Sequence, residues 1–332
     1  MLDNDYFINT FVLIAIALVF YFKRLKFFEI INIYDIPDGK LKRHLKKASL
    51  FGGVIFITYL LIIFILDYFE KNGISSYLSE SEYVRFSFLF SSISFFLIGV
   101  YDDKYHLNYQ IKIFLFCLII YICLSLDPGL IIKKIEFTFT DKVYFLGNLS
   151  KFFTILCIFI FINALNLYDG IDLQSGLYIF IIFFTLGTLT SEIFFFYLLI
   201  PTLLFLILNQ KKEIFMGDNG TILVGFLISY FVIKTYKTSI ILSDEIFILM
   251  MLPGIDMLRL FLFRTIKGKN PFIGDSNHIH HLLVNKFGNI KTIIILNGII
   301  VLSILSLFIL KINSLFIISL VLIVYLFLVF KK

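Results

Sequence analysis

The chain has 332 residues, 60% of them hydrophobic, with 43 Phe, no Trp and a formal net charge of +6. Soluble domains are about 45–50% apolar, so no water-exposed fold could hide this surface; the composition excludes a soluble module and makes a bilayer the solvent. Cys117, Cys123 and Cys157 lie inside apolar runs without paired spacing, which argues against disulfides and against a thiolate metal site.

A helix needs about 20 apolar residues to cross a bilayer. Eleven runs qualify, at approximately 6–22, 50–69, 84–101, 111–126, 151–167, 173–190, 192–209, 219–234, 243–262, 291–311 and 314–331. The first, from Phe7 to Phe22, follows Asp3 and Asp5 rather than a basic stretch, and no small-residue cleavage site succeeds it. It reads as a retained helix and not a signal peptide. The pairs 173–190/192–209 and 291–311/314–331 are joined by very short turns, and fusing either would lower the count. The predicted fold is all-α: one polytopic membrane domain over residues 1–332, a bundle of about 10–11 transmembrane helices. In the loop 127–150, the stretch from Lys134 to Asp141 alternates and is rich in Thr and Phe. It predicts a short hairpin with no catalytic role.

Loop charge sets the orientation. With loop 23–49 in the cytoplasm, 20 of the 29 Lys and Arg residues fall on that side, whereas acidic residues split nearly evenly. The N-terminus is then external, the C-terminus internal, and the active-site loops cytoplasmic.

Every cluster suited to metal or phosphate falls in those loops. Asp102 and Asp103 end the third run; adjacent carboxylates at a helix end are hard-oxygen ligands suited to Mg²⁺, or simply mark where a helix leaves the bilayer. Asn163, Asn166, Asp169 and Asp172 fall three apart, a spacing that places side chains on one helical face. Such a stripe suits ribose hydroxyls, a base edge or a metal-bound diphosphate; Asp-Gly is also an ordinary turn. Asp218, flanked by Gly217 and Asn219-Gly220, opens the eighth run, where free N–H groups favour phosphate; Asp is also a preferred helix cap. The loop 263–290 carries Arg264, His278, His280 and His281, which could hold zinc or meet phosphate or sugar. The basic loop 23–49, with His44, could meet an anionic substrate or anionic lipid.

The order and spacing of these pieces are more specific than any one of them. The chain resembles the polyprenyl-phosphate N-acetylhexosamine-1-phosphate transferases from about Asp35 to His281. Asp35-Ile36-Pro37 with Lys42-Arg43-His44 and Gly52-Gly53 is similar to the family's first basic loop. Asp102-Asp103 with Lys112 resembles its Asp-Asp motif and downstream lysine. The stretch from Asn163 to Asp172 resembles Asn-x-x-Asn-x-x-Asp-Gly-x-Asp, and Phe215 to Gly220 resembles Phe-Met-Gly-Asp-x-Gly. Asp256, Arg264, Gly268, Pro271-Phe272, Asp275 and His278-Ile279-His280-His281 resemble the final signature. The family commonly has Gly where Leu173 stands, and Pro shortly before the Gly-Gly pair, where this chain has the stretch from Lys47 to Phe51.

The resemblance implies transfer of a sugar 1-phosphate from a UDP-sugar to undecaprenyl phosphate with release of UMP, at the bacterial inner membrane. It implies Mg²⁺, with Mn²⁺ an alternative, on Asp218 and on Asp102 or Asp103, the other of that pair acting as base or positioning the lipid phosphate. Asn163, Asn166, Asp169 and Asp172 are expected to hold the uridine diphosphate end. His278, His280, His281 and Arg264 would hold the sugar or its phosphate, and His44 and Lys112 would contact substrate. The His-Ile-His-His form is more like the branch using UDP-GlcNAc or related amino sugars than the phospho-MurNAc-pentapeptide branch, the alternative. No nucleic-acid partner is expected, and a homodimer is compatible with the reading. A cation-coupled transporter, the runner-up class, places ionisable groups near the midplane and often shows repeats; here the acids sit at helix ends, without a repeat. A non-catalytic lipid-binding scaffold is the third class.

Overall fold

The computed structural model of the protein describes residues 4–35, 47–69, 73–268, 270 and 277–330. His44 lies outside the described residues, as do Pro37, Lys42, Arg43, Pro271, Phe272 and Asp275. In chain order the helices are α1 (Asn4–Ile31), α2 (Gly52–Phe69), α3 (Glu82–Tyr105), α4 (Tyr109–Leu126), α5 (Ser150–Tyr168) and α6 (Gln174–Thr190). Then follow α7 (Ile193–Gln210), α8 (Gly217–Lys237), α9 (Ser243–Ile266), α10 (Ile279–Phe287), α11 (Asn289–Ile304) and α12 (Ser314–Phe330). Two antiparallel strand pairs complete the list: β1 (Tyr34–Asp35) with β2 (Ala48–Ser49), and β3 (Lys134–Phe137) with β4 (Thr140–Phe145).

All eleven expected runs are helices, and the hairpin stands where alternation placed it. Nine helices among the described residues are long and apolar enough to cross a membrane. Apolar helices α6 and α12 have 17 residues each, the short end of the roughly 17–25 that span hydrocarbon. The protein is an all-α integral membrane protein. Neither short-turn pair is fused, because Ser191 (φ 59°) and Lys311 (φ 55°) adopt left-handed backbone that ends the preceding helix. The unexpected helix is α10, inside the histidine loop. Its nine residues are too few for a membrane run, and it buries Ile279, His280 and Leu283 on one side.

Contacts divide the chain into two compact units, Met1–Asp127 with Gly176–Ile228, and Pro128–Ser175 with Ser229–Lys332. In the first, α2 packs on α3 and α7, α1 on α7, and α3 on α4. Phe95 of α3 stands 5.4 Å from Phe116 of α4 and 4.9 Å from Phe226 of α8, ring centre to ring centre. Such pairs add about 0.5–1.5 kcal/mol each beyond their burial and tie the three helices whose ends carry Asp102-Asp103, Lys112 and Asp218. The segment around Ser49 pairs with β1 on one side. On the other, Ser49 N–H donates to Glu213 O (3.1 Å) and Ser49 O accepts from Phe215 N–H (2.9 Å). This clamp fixes the approach to α8.

In the second unit α9 packs against α5, α11, α12 and β3, and α10 packs against α11 and α12. Asp244, at the start of α9, accepts hydrogen bonds from the Thr138 N–H (2.9 Å) and the Thr138 hydroxyl. The Tyr236 hydroxyl donates to Lys134 O (2.9 Å) and accepts from Glu136 N–H (3.0 Å). The hairpin is thus pinned at both ends.

Candidate active site: two polar clusters

The first cluster forms where α3 ends and α4 and α8 begin. His106 closes α3 in left-handed backbone (φ 53°), its N–H on Asp102 O, and Asn108 caps α4 by accepting from Gln110 N–H at 3.0 Å. The link is so short that Lys112, in the first turn of α4, folds back onto the end of α3. Its ammonium donates to Asp102 Oδ2 and, at 2.9 Å, to Asp218 Oδ2 of α8. The other Asp102 oxygen accepts from Leu107 N–H at 2.7 Å. One lysine therefore offsets the repulsion between two carboxylates from different helices.

Asp103 does something different. Its Oδ1 accepts from Asp218 N–H at 2.8 Å and its Oδ2 from Asn219 N–H at 3.0 Å. These are orphan donors of the first turn of α8, which any helix start must satisfy. Asp103, 115 residues upstream, thus caps the start of α8, while the Asp218 carboxylate faces Lys112. Glycines allow the approach. A Cβ on Gly99 would lie 2.4 Å from Asn219 Cα, and one on Gly53 would lie 2.5 Å from the Asn219 carbonyl carbon. Gly217 has φ 69°, and a Cβ there would lie 2.9 Å from Asp103 Oδ2.

The second cluster forms around α5, α9 and α10. Asn163 and Asn166 lie on α5, but α5 stops at Tyr168. The expectation of one helical face through Asp172 is corrected: Asp169 is the residue after the helix and Asp172 sits in the following turn. Asp169 accepts from the Ser175 hydroxyl, and the Tyr168 hydroxyl accepts from the Gln174 side-chain amide, so the turn is tied to the start of α6. Leu173 has φ 67°, the conformation for which the family's commoner glycine is suited. A left-handed L-residue costs about 1–2 kcal/mol. Leu173→Gly should therefore be about 1 kcal/mol more stable than Leu173→Ala, because both lose the same packing and only glycine relieves the backbone; thermal unfolding of the two variants in detergent measures the difference.

The histidine motif meets this turn. A Cβ on Gly170 would lie 1.9 Å from His280 Nε2, so the glycine lets that end of the ring close on the turn. His278 and His280 stack with centres 5.3 Å apart, and His281 stands 4.3 Å from His280. His278 and His280 are buried, as is Arg264 near the end of α9. The histidines are positioned by Asp256, a buried carboxylate of α9 that sequence reasoning placed only within the final signature. Its Oδ2 stands 3.1 Å from His278 Nδ1, and both its oxygens accept from Ile279 N–H, at 3.2 and 3.3 Å. Arg259 and Tyr325 also bind it (Nη2 and hydroxyl, each 2.8 Å from Oδ1); neither stood out in sequence.

The structure thus gathers Asp102, Asp103, Lys112 and Asp218 into one cluster, and Asp169, Asp172 and the three histidines, with Asn163 and Asn166 on the helix leading in, into another. Among the described residues, no three His, Cys, Asp or Glu side chains converge to hold a metal ion. Asp102 and Asp218 nevertheless suit Mg²⁺, which typically takes one or two carboxylates and completes its shell with water and substrate phosphate. The Lys112 ammonium between them marks where positive charge is stabilised.

Residues 85–236, which carry this first cluster whole, match the family model described as glycosyl transferase family 4. Through that stretch the chain is similar to glycosyl transferase family 4, a likeness that indicates a membrane transferase. Relatives extend the likeness beyond the matched residues. The undecaprenyl-phosphate alpha-N-acetylglucosaminyl 1-phosphate transferase of Escherichia coli K12 is 27% identical over 269 residues, 76% of this chain and 70% of the relative. The protein of the same name from Thermotoga maritima is 25% identical over 274 residues, 79% of this chain and 76% of the relative. That from Yersinia pestis is 24% identical over 268 residues, covering 76% and 70%.

Proposed function

We propose that this protein is a family 4-type transferase that moves N-acetylglucosamine 1-phosphate, or a closely related amino-sugar phosphate, from its UDP-sugar to undecaprenyl phosphate, releasing UMP. The observation that carries the reading is the Asp102–Lys112–Asp218 cluster within the matched stretch, together with relatives named for that reaction. Those names favour the N-acetylglucosamine branch over the phospho-MurNAc-pentapeptide branch. Nucleophile and diphosphate are both anionic, so the site must supply positive charge and hold both in place. Asp102 and Asp218 would hold Mg²⁺, which would neutralise charge developing on the leaving phosphate. Lys112 bridges their carboxylates and supplies a second positive charge at the phosphates. Asp103 keeps the start of α8 in place, so that Asp218 projects from a fixed turn. Because a phosphate monoester with second pKa near 6 is mostly ionised at pH 7, the lipid phosphate attacks without needing a strong base. Asn166, Asp169 and Asp172 hold the uridine end, and the histidines and Arg264 hold the sugar.

The charge asymmetry of the loops supports a reaction on the cytoplasmic face, the side on which UDP-sugars are made. Sealed membrane vesicles test both parts. Inverted vesicles given undecaprenyl phosphate, Mg²⁺ and a panel of UDP-sugars should release UMP best with UDP-N-acetylhexosamines, and right-side-out vesicles should release none. Turnover only of UDP-MurNAc-pentapeptide would overturn the branch, and equal activity in right-side-out vesicles would overturn the orientation.

A further inference from the structure

The last helix lies beyond the residues that match the family model and 33 residues beyond the last motif histidine by its first residue, Ser314, yet one of its side chains ends in the second cluster. Tyr325 is buried in an otherwise apolar segment. Its hydroxyl donates to Asp256 Oδ1 at 2.8 Å and accepts from Arg259 Nε at 2.7 Å, so one oxygen both gives and receives. Arg259 continues the chain of contacts. Its Nη2 donates to Asp256 Oδ1 (2.8 Å) and to Asn277 O (2.7 Å), the carbonyl just before His278. Asp256 in turn holds the His278 ring through Nδ1 and the start of α10 through Ile279 N–H. Every contact in this set either fixes Asp256 or fixes the backbone and ring of His278.

We propose that Asp256, Arg259 and Tyr325 form a positioning relay, anchored on the last helix, that sets the orientation and tautomer of His278 and through it the stacked histidines. The proposal rests on the functional reading above for its kinetic consequence only. The physical basis is that an ionised carboxylate can only accept. Facing Nδ1, it keeps the proton on that nitrogen and leaves Nε2 as the histidine's working atom; such outer partners are the usual means of fixing a ring's tautomer. A carboxylate is free to rotate and to exchange partners unless its other oxygen is also fixed. Tyr325 and Arg259 both hold Oδ1, which keeps Oδ2 turned toward the imidazole. The stack then passes the constraint on: His280 lies parallel to His278 within 11° and against Gly170 of the acidic turn. Tyr325 is a positioning residue here, acting through Asp256 and not touching the substrate.

The test uses the full-length protein in detergent, labelled with nitrogen-15 histidine. The chain has five histidines, and His278→Gln assigns the His278 signal by its loss. The wild type should show His278 protonated at Nδ1. Tyr325→Phe, which removes one oxygen and keeps the ring, should show a mixture of tautomers. In UMP release it should lower turnover about tenfold, the scale seen when an outer partner of a functional histidine is lost, while the KM for lipid phosphate stays unchanged. In a His278→Gln background the same substitution should cost nothing further, because coupled residues are not additive. If Tyr325→Phe fails to fold, Arg259→Gln takes its place with the same expected signature. An unchanged tautomer together with additive losses would overturn the relay. A wild type that releases no UMP from any UDP-sugar, but whose His278 tautomer still depends on Tyr325, would overturn the functional reading and leave the relay standing.

Discussion

Asp218→Asn should lower transfer by about 100-fold or more, the scale of losing one preorganised electrostatic group at a reacting phosphate or acyl centre, with little change in thermal stability. The substitution keeps size and shape. It leaves in place the cap that Asp103 gives the Asp218 and Asn219 N–H groups at the start of α8. Lys112 retains its ion pair with Asp102. What disappears is one negative charge from the pair of carboxylates that share Lys112. Release of UMP by purified protein, alongside a melting curve in the same detergent, separates the two effects. A variant within tenfold of wild type at ordinary Mg²⁺ would remove Asp218 from the metal and phosphate chemistry.

Gly99→Ala should be among the most damaging single-methyl changes at the described glycines. The added Cβ would lie 2.4 Å from Asn219 Cα and 2.6 Å from Asn219 N and Asp218 O. All three are backbone atoms, so no side chain can swing aside, and α3 must move away from the start of α8. Overpacking costs about 1–3 kcal/mol where neighbours can adjust; against backbone the cost should be about 2 kcal/mol or more. The same shift pulls Asp103 from the N–H groups it caps and separates Asp102 from Asp218, so activity should fall below detection even in protein that still folds. The control is Gly254→Ala on α9, where an added Cβ would meet nothing within 4 Å; it should behave as wild type in melting. Near-normal activity in Gly99→Ala would show that α3 and α8 tolerate separation and that the close approach is not needed.

The membrane helices were legible in the sequence because hydrocarbon imposes one rule on them, an apolar run of about 20 residues, and every such run is a helix. The hairpin was legible because alternation is a local signal. Asp102 and Asp103 were legible as a pair but not in their division of labour. That division depends on a helix start 115 residues away, and long-range approach has no local signature. The Asn163–Asp172 stripe was read with a helical period that the chain abandons at Tyr168. The Asp-Gly pair and Leu173 in left-handed backbone make it a turn instead, and only the glycine hinted at that. The helix α10 is too short to register as a membrane run. Its nine residues are helical because Ile279, His280 and Leu283 pack inward and because Asp256 accepts from Ile279 N–H at the helix start. Tyr325 carried no signal, since a tyrosine in an apolar run near the chain's end looks like any residue at a membrane interface.

The central claim is that the phosphate next to the sugar travels with it. UDP-N-acetylglucosamine labelled with phosphorus-32 in the β-phosphate, incubated with the purified protein, undecaprenyl phosphate and Mg²⁺, tests it directly. The account predicts that the label passes into the lipid fraction while unlabelled UMP is released in equal amount. Label recovered in released UDP, with an unlabelled sugar on the lipid, would mean transfer of the sugar alone and would contradict it.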